Sequence, residues 1–168
     1  IDHRVVAENG GVVCADDEVW IHDDGDDART VAVRFQEAGG DLGWGDVDLV
    51  NRWRESEVAI RRDRDETQLR ELAAEFDLEF VDTGYAFHVK PRGLAKGDGV
   101  RTLADLLDRD PGEFVAVGDS ENDVSTFEVA DRSFAVANAD DAAKAAATET
   151  LDDAHATGTL SVLRRFDD

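Results

Sequence analysis

The sequence predicts an α/β fold, in which a parallel sheet is covered by helices and a smaller α+β segment is inserted. Two observations support this prediction. From Pro91 onward, short apolar strands alternate with helices, and this alternation is typical of a parallel sheet covered on both faces. Between residues 14 and 90, strand-like runs are joined by tight turns, which is typical of antiparallel strands. We therefore expect residues 1–13 and 91–168 to form the main domain and residues 14–90 to form the insert.

The N-terminal half is predicted to begin with a buried strand at 4–7, which ends at the turn cluster Asn9-Gly10-Gly11. Within 65–76, apolar residues recur at helical spacing. Segment 57–61 alternates apolar and polar residues, as a half-buried strand does. The remaining strands are expected at 12–14, 18–22, 79–82 and 85–89, and a further helix at 28–38.

The C-terminal half is predicted from its alternating pattern. Apolar runs such as 114–117 are too short for helices and are bounded by helical segments. The expected order is helix 96–107, strand 114–117, helix 122–130, strand 133–137, helix 140–147 and helix 158–166.

The composition is strongly acidic. The sequence has 168 residues, with 40 Asp plus Glu against 18 Lys plus Arg and a net charge of −22. Nucleic acids and anionic membranes are bound by clustered Lys and Arg, so neither is an expected partner. Carboxylate-rich surfaces are tolerated at molar salt, where the Debye length falls to about 3 Å. We therefore expect a protein from a salt-adapted organism.

Several absences limit the function classes. No apolar run approaches the roughly 20 residues of a membrane helix, and no signal peptide is visible, so a cytoplasmic protein is expected. The single cysteine, Cys14, excludes an intrachain disulfide. The sequence contains no methionine and opens with Ile1 beside a strand-like run. We therefore expect it to be the C-terminal portion of a longer protein.

Asp119 and Asp123 form the strongest candidate site. They follow the apolar strand 114–117 in the order Gly-Asp-x-x-x-Asp, just where a helix is predicted to begin. Ligands of open α/β sheets bind at the carboxyl ends of the strands, and residues four apart lie on one face of a helix. Two converging carboxylates repel each other unless a cation joins them, and hard oxygen ligands favour Mg²⁺. Acidic pairs also arise by chance in this sequence, but this arrangement is narrower and predicts a magnesium site.

Lys96 is the second candidate. Lysine occurs three times, against 15 arginines, so its presence at a predicted helix start suggests that a compact ammonium group is required. A cation there opposes the helix dipole, which a bound anion can offset. A solvated surface lysine is the alternative.

These segments together resemble the haloacid dehalogenase (HAD) superfamily of phosphatases. The resemblance rests on A-E-N-G-G at 7–11, K-G at 96–97, G-D-S-E-N-D at 118–123 and V-A-N-A at 136–139, in that order. The short insert and acidic composition look most like those of the archaeal phosphoglycolate phosphatases. The resemblance implies a HAD-type Rossmann-like core with an inserted α+β cap, a small phosphorylated metabolite as substrate, and Mg²⁺ as cofactor.

The resemblance also implies a mechanism. A nucleophilic Asp attacks the phosphoryl group, water hydrolyses the resulting aspartyl-phosphate, and a second Asp acts as general acid. Asp119 and Asp123 match the residues that hold Mg²⁺ with that nucleophile, and Lys96 matches the residue that neutralises the phosphate.

The superfamily's nucleophile motif, D-x-D-G-T, does not occur in this sequence, and neither does the Ser/Thr of its second motif. The segment H-D-D-G-D at 22–26 resembles the nucleophile motif superficially, but it lies in the insert and follows no buried core strand. We therefore expect the catalytic residues and the first core strand to lie upstream, and the chain alone to be inactive.

The favoured function is thus phosphoglycolate hydrolysis. A phosphatase for another small sugar phosphate is one alternative, and a non-catalytic remnant that retains only the metal half-site is another.

Some polar residues are weaker candidates. Asn138 is expected to hydrogen-bond the loops of the site, and His88 is expected to be packed or exposed rather than a ligand. Four arginines concentrate positive charge in the insert. Ion pairs with neighbouring carboxylates are favoured for them over binding of a substrate carboxylate; they are Arg52, Arg54, Arg61 and Arg62.

Overall fold

The computed structural model describes residues 4–23 and 25–166. The chain divides into two compact units. Unit 1 comprises Ile1–Glu18 and Ala95–Asp168, and unit 2 comprises Val19–Leu94.

Unit 1 begins with a strand pair. β1 (Arg4–Ala7) runs antiparallel to β2 (Val12–Ala15). The next strand along the chain, β3 (Glu18–Ile21), has all but its first residue in unit 2. The prediction of a buried strand at 4–7 is correct in position but wrong in burial, because Val5 is 49% exposed. The following helix, α3 (Lys96–Leu106), packs against both β1 and β2.

The rest of unit 1 is an α/β layer structure, which confirms the predicted fold class. Its parallel sheet has the order β7-β8-β9, with Gly118 opposite Ala135 in the first pair. Apolar side chains of the sheet and helices form one core, which includes Phe127, Phe134 and Val162. The elements are β7 (Val115–Gly118), α4 (Val124–Phe127), β8 (Arg132–Ala135), α5 (Asp141–Ala146), β9 (Glu149–Thr150) and α6 (His155–Leu163).

Three elements of unit 1 differ most from the prediction. The helix expected at 122–130 is a 3-10 turn at Glu121–Asp123 followed by the four-residue α4. Strand β9 was not expected, because it has two residues and both are exposed, so it carries no apolar pattern. Helix α6 begins three residues earlier than expected. The Asn138 side chain accepts a hydrogen bond from the His155 amide (2.7 Å) and so supports this earlier start.

Unit 2 is an α+β structure. Its antiparallel sheet has the order β4-β6-β5. Apolar residues from one face of this sheet, including Ile60 and Val89, pack with residues of two helices, including Phe35 and Leu69. The elements are α1 (Asp26–Glu37), β4 (Val58–Arg61), α2 (Glu66–Glu75), β5 (Leu78–Asp82) and β6 (Ala86–Pro91).

The sequence predicted a half-buried strand at 57–61. In the structure, the first three residues of β4 are buried. Asn51 hydrogen-bonds both the amide and the carbonyl of Ala59 (2.8 and 2.9 Å), and Trp44 donates to the same carbonyl (2.8 Å). Along the outer edge of β4, the Asn51 side chain thus makes hydrogen bonds of the kind that a neighbouring strand would make. Such long-range pairing leaves no local sequence pattern.

Three of the four arginines considered in the sequence, Arg54, Arg61 and Arg62, pair with carboxylates, as the ion-pair interpretation predicted. Arg61 contacts Asp63 (3.0 Å) and Arg62 contacts Asp82 (2.8 Å). Burial raises the pKa of the Asp82 carboxyl, but the Gly84 amide and the Arg62 guanidinium outweigh it and hold the pKa below its usual value. Arg52 stands over the ring of Trp53.

A buried charged cluster lies in the same unit. Glu57 accepts hydrogen bonds from Arg54 and contacts His88 Nδ1 (2.9 Å), and its side chain is 1% exposed. His88 is therefore packed against a carboxylate, in line with its expected role as a packed residue.

Among the residues that the structure describes, no helix has the length and apolar character needed to cross a bilayer.

Candidate functional site

The candidate site is the loop that follows β7. The strand ends at Gly118, and a 3-10 turn at Glu121–Asp123 leads into α4. One oxygen of the Asp123 carboxylate accepts hydrogen bonds from the backbone amides of Asp119 (2.9 Å) and Ser120 (3.2 Å). The Asp123 side chain therefore folds back over the loop and fixes its curvature.

Gly118 makes this fold-back possible. A Cβ atom at position 118 would lie 2.6 Å from both Cβ and Oδ2 of Asp123. No side chain fits in that space, so the glycine is needed for close approach.

Lys96 meets the loop from the first residue of α3. Its ammonium nitrogen lies 2.6 Å from Oδ1 of Asp123 and 3.1 Å from Oδ1 of Asn122. Gly97 brings α3 close to the loop's helix, because its amide donates to Ser125 Oγ (3.1 Å) and a Cβ there would lie 2.2 Å from the Ser125 carbonyl oxygen. The structure thus brings two of the predicted site residues, Lys96 and Asp123, into an ion pair.

Asp119 is in a different state. Its side chain is exposed and makes no hydrogen bond or ion pair with other residues in the described part of the chain, whereas its backbone is held by Asp123. The Asp123 side chain is 15% exposed and already engaged with Lys96. The two carboxylates that the sequence assigned to one Mg²⁺ site therefore differ in their contacts, since Asp119 is exposed and Asp123 is engaged with the loop amides and Lys96.

Asp140 is part of the site and was not predicted. Its carboxylate accepts hydrogen bonds from the amides of Glu121 and Ala143 (both 2.8 Å), and its own amide donates to the Asp119 carbonyl (2.9 Å). The Ala143 hydrogen bond holds the pKa of Asp140 below its usual value; desolvation opposes this effect, and the Glu121 hydrogen bond adds to it.

The sequence had assigned loop contacts to Asn138 instead, but its side chain accepts a hydrogen bond from the amide of His155, the first residue of α6. A signal for Asp140 was present, since an Asp directly before a helix is a usual N-cap. Its contact with a loop 19 residues away left no such signal.

The donor set suits a hard cation only in part. Asp119 offers carboxylate oxygens of the kind that Mg²⁺ prefers. Across 4–23 and 25–166, however, no three His, Cys, Asp or Glu side chains converge into a metal site. The residues present therefore fit one side of a Mg²⁺ site, with Lys96 placed beside it to attract an anion.

The segment at 22–26 has a helix-starting role. The Asp23 side chain accepts a hydrogen bond from the Gly25 amide (2.9 Å). Gly25, with φ of 68°, precedes the first residue of α1. Position 24 lies outside the described residues.

Comparison with known proteins identifies the family. The profile described as haloacid dehalogenase-like hydrolase matches residues 58–163. The chain belongs to this family. A phosphoglycolate phosphatase from Halorubrum lacusprofundi is 56% identical over 161 residues, which cover 95% of this chain and 71% of the relative. A phosphoglycolate phosphatase from Halobacterium salinarum is 48% identical over 166 residues, covering 99% of this chain and 74% of that protein.

The fold of this chain is also found among solved structures. A crystal structure of a Thermoplasma acidophilum protein superimposes with a TM-score of 0.82 at 23% identity, covering 99% of this chain and 73% of the other. The resemblance to HAD hydrolases and the predicted fold class are therefore both confirmed. Relatives from Halorubrum and Halobacterium agree with the salt-adapted composition.

Proposed function

We propose that this chain is part of a Mg²⁺-dependent phosphomonoesterase that converts 2-phosphoglycolate and water into glycolate and phosphate. Membership of the HAD-like hydrolases supports the phosphatase class. Five relatives that bear the name phosphoglycolate phosphatase are 42–56% identical to the chain, which supports the substrate.

The observation that carries the proposal is the Lys96 ammonium held at the end of β7. Its partner Asp123 keeps it beside the loop, 2.6 Å from the carboxylate, while 35% of the lysine side chain remains exposed. A phosphate monoester brings two negative charges, so its oxygens accept hydrogen bonds from the part of the ammonium that faces solvent. The ammonium thus binds the phosphoryl group and offsets its charge as the phosphoryl group is transferred.

Asp119 supplies a carboxylate for the cation. When bound, Mg²⁺ would polarise a phosphoryl oxygen as a Lewis acid. The protein's part is to keep the Asp119 side chain exposed while Asp123 and Lys96 neutralise each other. The Asp119 carboxylate is therefore more accessible to a cation from solvent than the Asp123 carboxylate, which is 15% exposed.

The nucleophile is proposed to lie outside these 168 residues. The sequence contains no D-x-D-G-T motif, and the chain spans 71% and 74% of the two relatives described above. Without that carboxylate there is no group to form the covalent intermediate, so residues 1–168 alone should not turn over substrate.

The test compares substrates on a protein that includes the region upstream of Ile1. In molar KCl with Mg²⁺, kcat/KM should be higher for 2-phosphoglycolate than for a hexose phosphate or p-nitrophenyl phosphate. Preference for the hexose phosphate would contradict the substrate, and absence of all turnover would favour the non-catalytic remnant. Turnover by residues 1–168 would show that the nucleophile lies among them.

A further inference from the structure

We infer that Asp140 is a positioning residue that holds the Asp119 loop in its cation-binding shape. This inference rests on the proposed role of Asp119 as a Mg²⁺ ligand, and it adds a residue from a different helix to that site.

Three hydrogen bonds support it. The Asp140 amide donates to the Asp119 carbonyl (2.9 Å). Carboxylate oxygen Oδ2 accepts from the Glu121 amide (2.8 Å), and Oδ1 accepts from the Ala143 amide (2.8 Å). Asp140 therefore hydrogen-bonds the residues on both sides of Ser120. It is also hydrogen-bonded to Ala143 in the first turn of α5.

Asp123 holds the same short segment through different groups. Its carboxylate accepts from the amides of Asp119 and Ser120, whereas Asp140 binds the carbonyl of Asp119 and the amide of Glu121. The backbone between Asp119 and Glu121 is thus bound by two residues that come from separate places in the chain. Because the amides of Asp119, Ser120 and Glu121 already donate to Asp123 and Asp140, they are not available to the Asp119 carboxylate.

Helix capping alone does not account for this arrangement. Asp65 caps α2 with one oxygen, which accepts from the Gln68 amide (3.0 Å). Asp140 makes the same kind of bond with Oδ1 and directs Oδ2 to Glu121, 19 residues earlier in the chain. Because Oδ2 accepts from an amide outside α5, a residue with a single side-chain oxygen separates the capping role from the loop contact.

Serine provides that separation. It is a good N-cap residue, so Asp140→Ser keeps the bond to Ala143, but its single, shorter hydroxyl cannot also reach Glu121. Asp65→Ser is the matched control, because it makes the same replacement at a helix cap that does not contact the Asp119 loop.

The experiment follows amide NMR signals of residues 119–123 during a Mg²⁺ titration of this chain in molar KCl. Asp140→Ser should require about tenfold more Mg²⁺ than the wild type, which is at the low end of the usual effect of residues that orient a metal ligand. Asp65→Ser should titrate as the wild type does. Hydrogen exchange at the Glu121 amide should also be faster in Asp140→Ser.

Each outcome is decisive. Equal titration of Asp140→Ser and the wild type would overturn the inference and leave the proposed function standing. An equal weakening in both serine variants would also overturn it, since that result indicates general destabilisation. No Mg²⁺ response in the wild type would overturn the metal role of Asp119, and the positioning role with it.

Discussion

The arginine-rich strands of unit 2 and the Asp119 loop of unit 1 use their carboxylates in different ways. In unit 2, the carboxylates of Asp63, Asp82 and Glu57 are paired with arginines. In the loop of unit 1, Asp123 and Asp140 are occupied by backbone amides, while Asp119 is left exposed beside a lysine–carboxylate pair. In so acidic a protein, the presence of an Asp is therefore weak evidence of a functional site. The informative feature is a carboxylate kept free by neighbours that are themselves satisfied.

The largest expected effect concerns Lys96. In a protein that includes the upstream region, Lys96→Ala should lower kcat by about 10²–10³, as loss of one charge-stabilising donor usually does. The third lysine of the chain, Lys144 in α5, provides the control, and Lys144→Ala should retain nearly full activity. Similar kinetics for both variants would mean that Lys96 is an ordinary surface lysine.

Asp119 and Asp123 should separate by their effects on stability and binding. Asp119→Asn should abolish most of the Mg²⁺ response while the free energy of unfolding changes by less than about 0.5 kcal/mol, as is usual for an exposed side chain. Asp123→Asn should weaken the response less but destabilise unit 1, because Asp123 binds Lys96 and two amides. Calorimetric titration and thermal melts in molar KCl measure both quantities. An unchanged response in both variants would exclude a cation site here.

A third variant tests the buried cluster of unit 2. Glu57→Gln removes a carboxylate that is 1% exposed and contacts Arg54 and His88, and breaking such a buried pair typically costs about 3 kcal/mol. Tryptophan fluorescence in urea should report the loss, because all three tryptophans lie within Val19–Leu94. The Mg²⁺ response of residues 119–123 should be unchanged. A loss below about 1 kcal/mol would show that the cluster is solvated in solution.

The smallest effect is expected at an exposed ion pair. Arg62 and Asp82 have side chains that are 50% and 31% exposed, and such pairs contribute under about 1 kcal/mol. Arg62→Gln should therefore lower the free energy of unfolding slightly in dilute buffer. In molar KCl the loss should not be measurable, because the Debye length falls to about 3 Å and the ion pair is screened. The wild type, with a net charge of −22, should itself become more stable as KCl rises. A loss in Arg62→Gln that persists at high salt would indicate a role beyond the ion pair.

The sequence predicted those parts of the molecule that depend on local pattern. The strand at 114–117 and the helix at 96–107 were found within one residue, since apolar periodicity and flanking Gly signal both. The family resemblance placed Lys96 and Asp123 in one site, but their direct contact was not predicted, because 27 residues separate the two side chains. Features without local pattern were missed: the edge strand β9, the Asn51 contacts along β4 and the double role of Asp140. Each depends on which backbone groups meet after folding.

Gly118 has a consequence for how this loop tolerates change. The methyl group of an alanine at this position would occupy the space of the Asp123 carboxylate. Gly118→Ala should therefore displace Asp123 and break its contacts with Lys96 and with the loop amides, although the replacement is small and uncharged. Gly97 has the same vulnerability against the Ser125 carbonyl. The two smallest residues of the loop region are thus as restrictive as its charged ones. When other chains are searched for this arrangement, the glycines of K-G and G-D-x-x-x-D should count equally with the lysine and the aspartates.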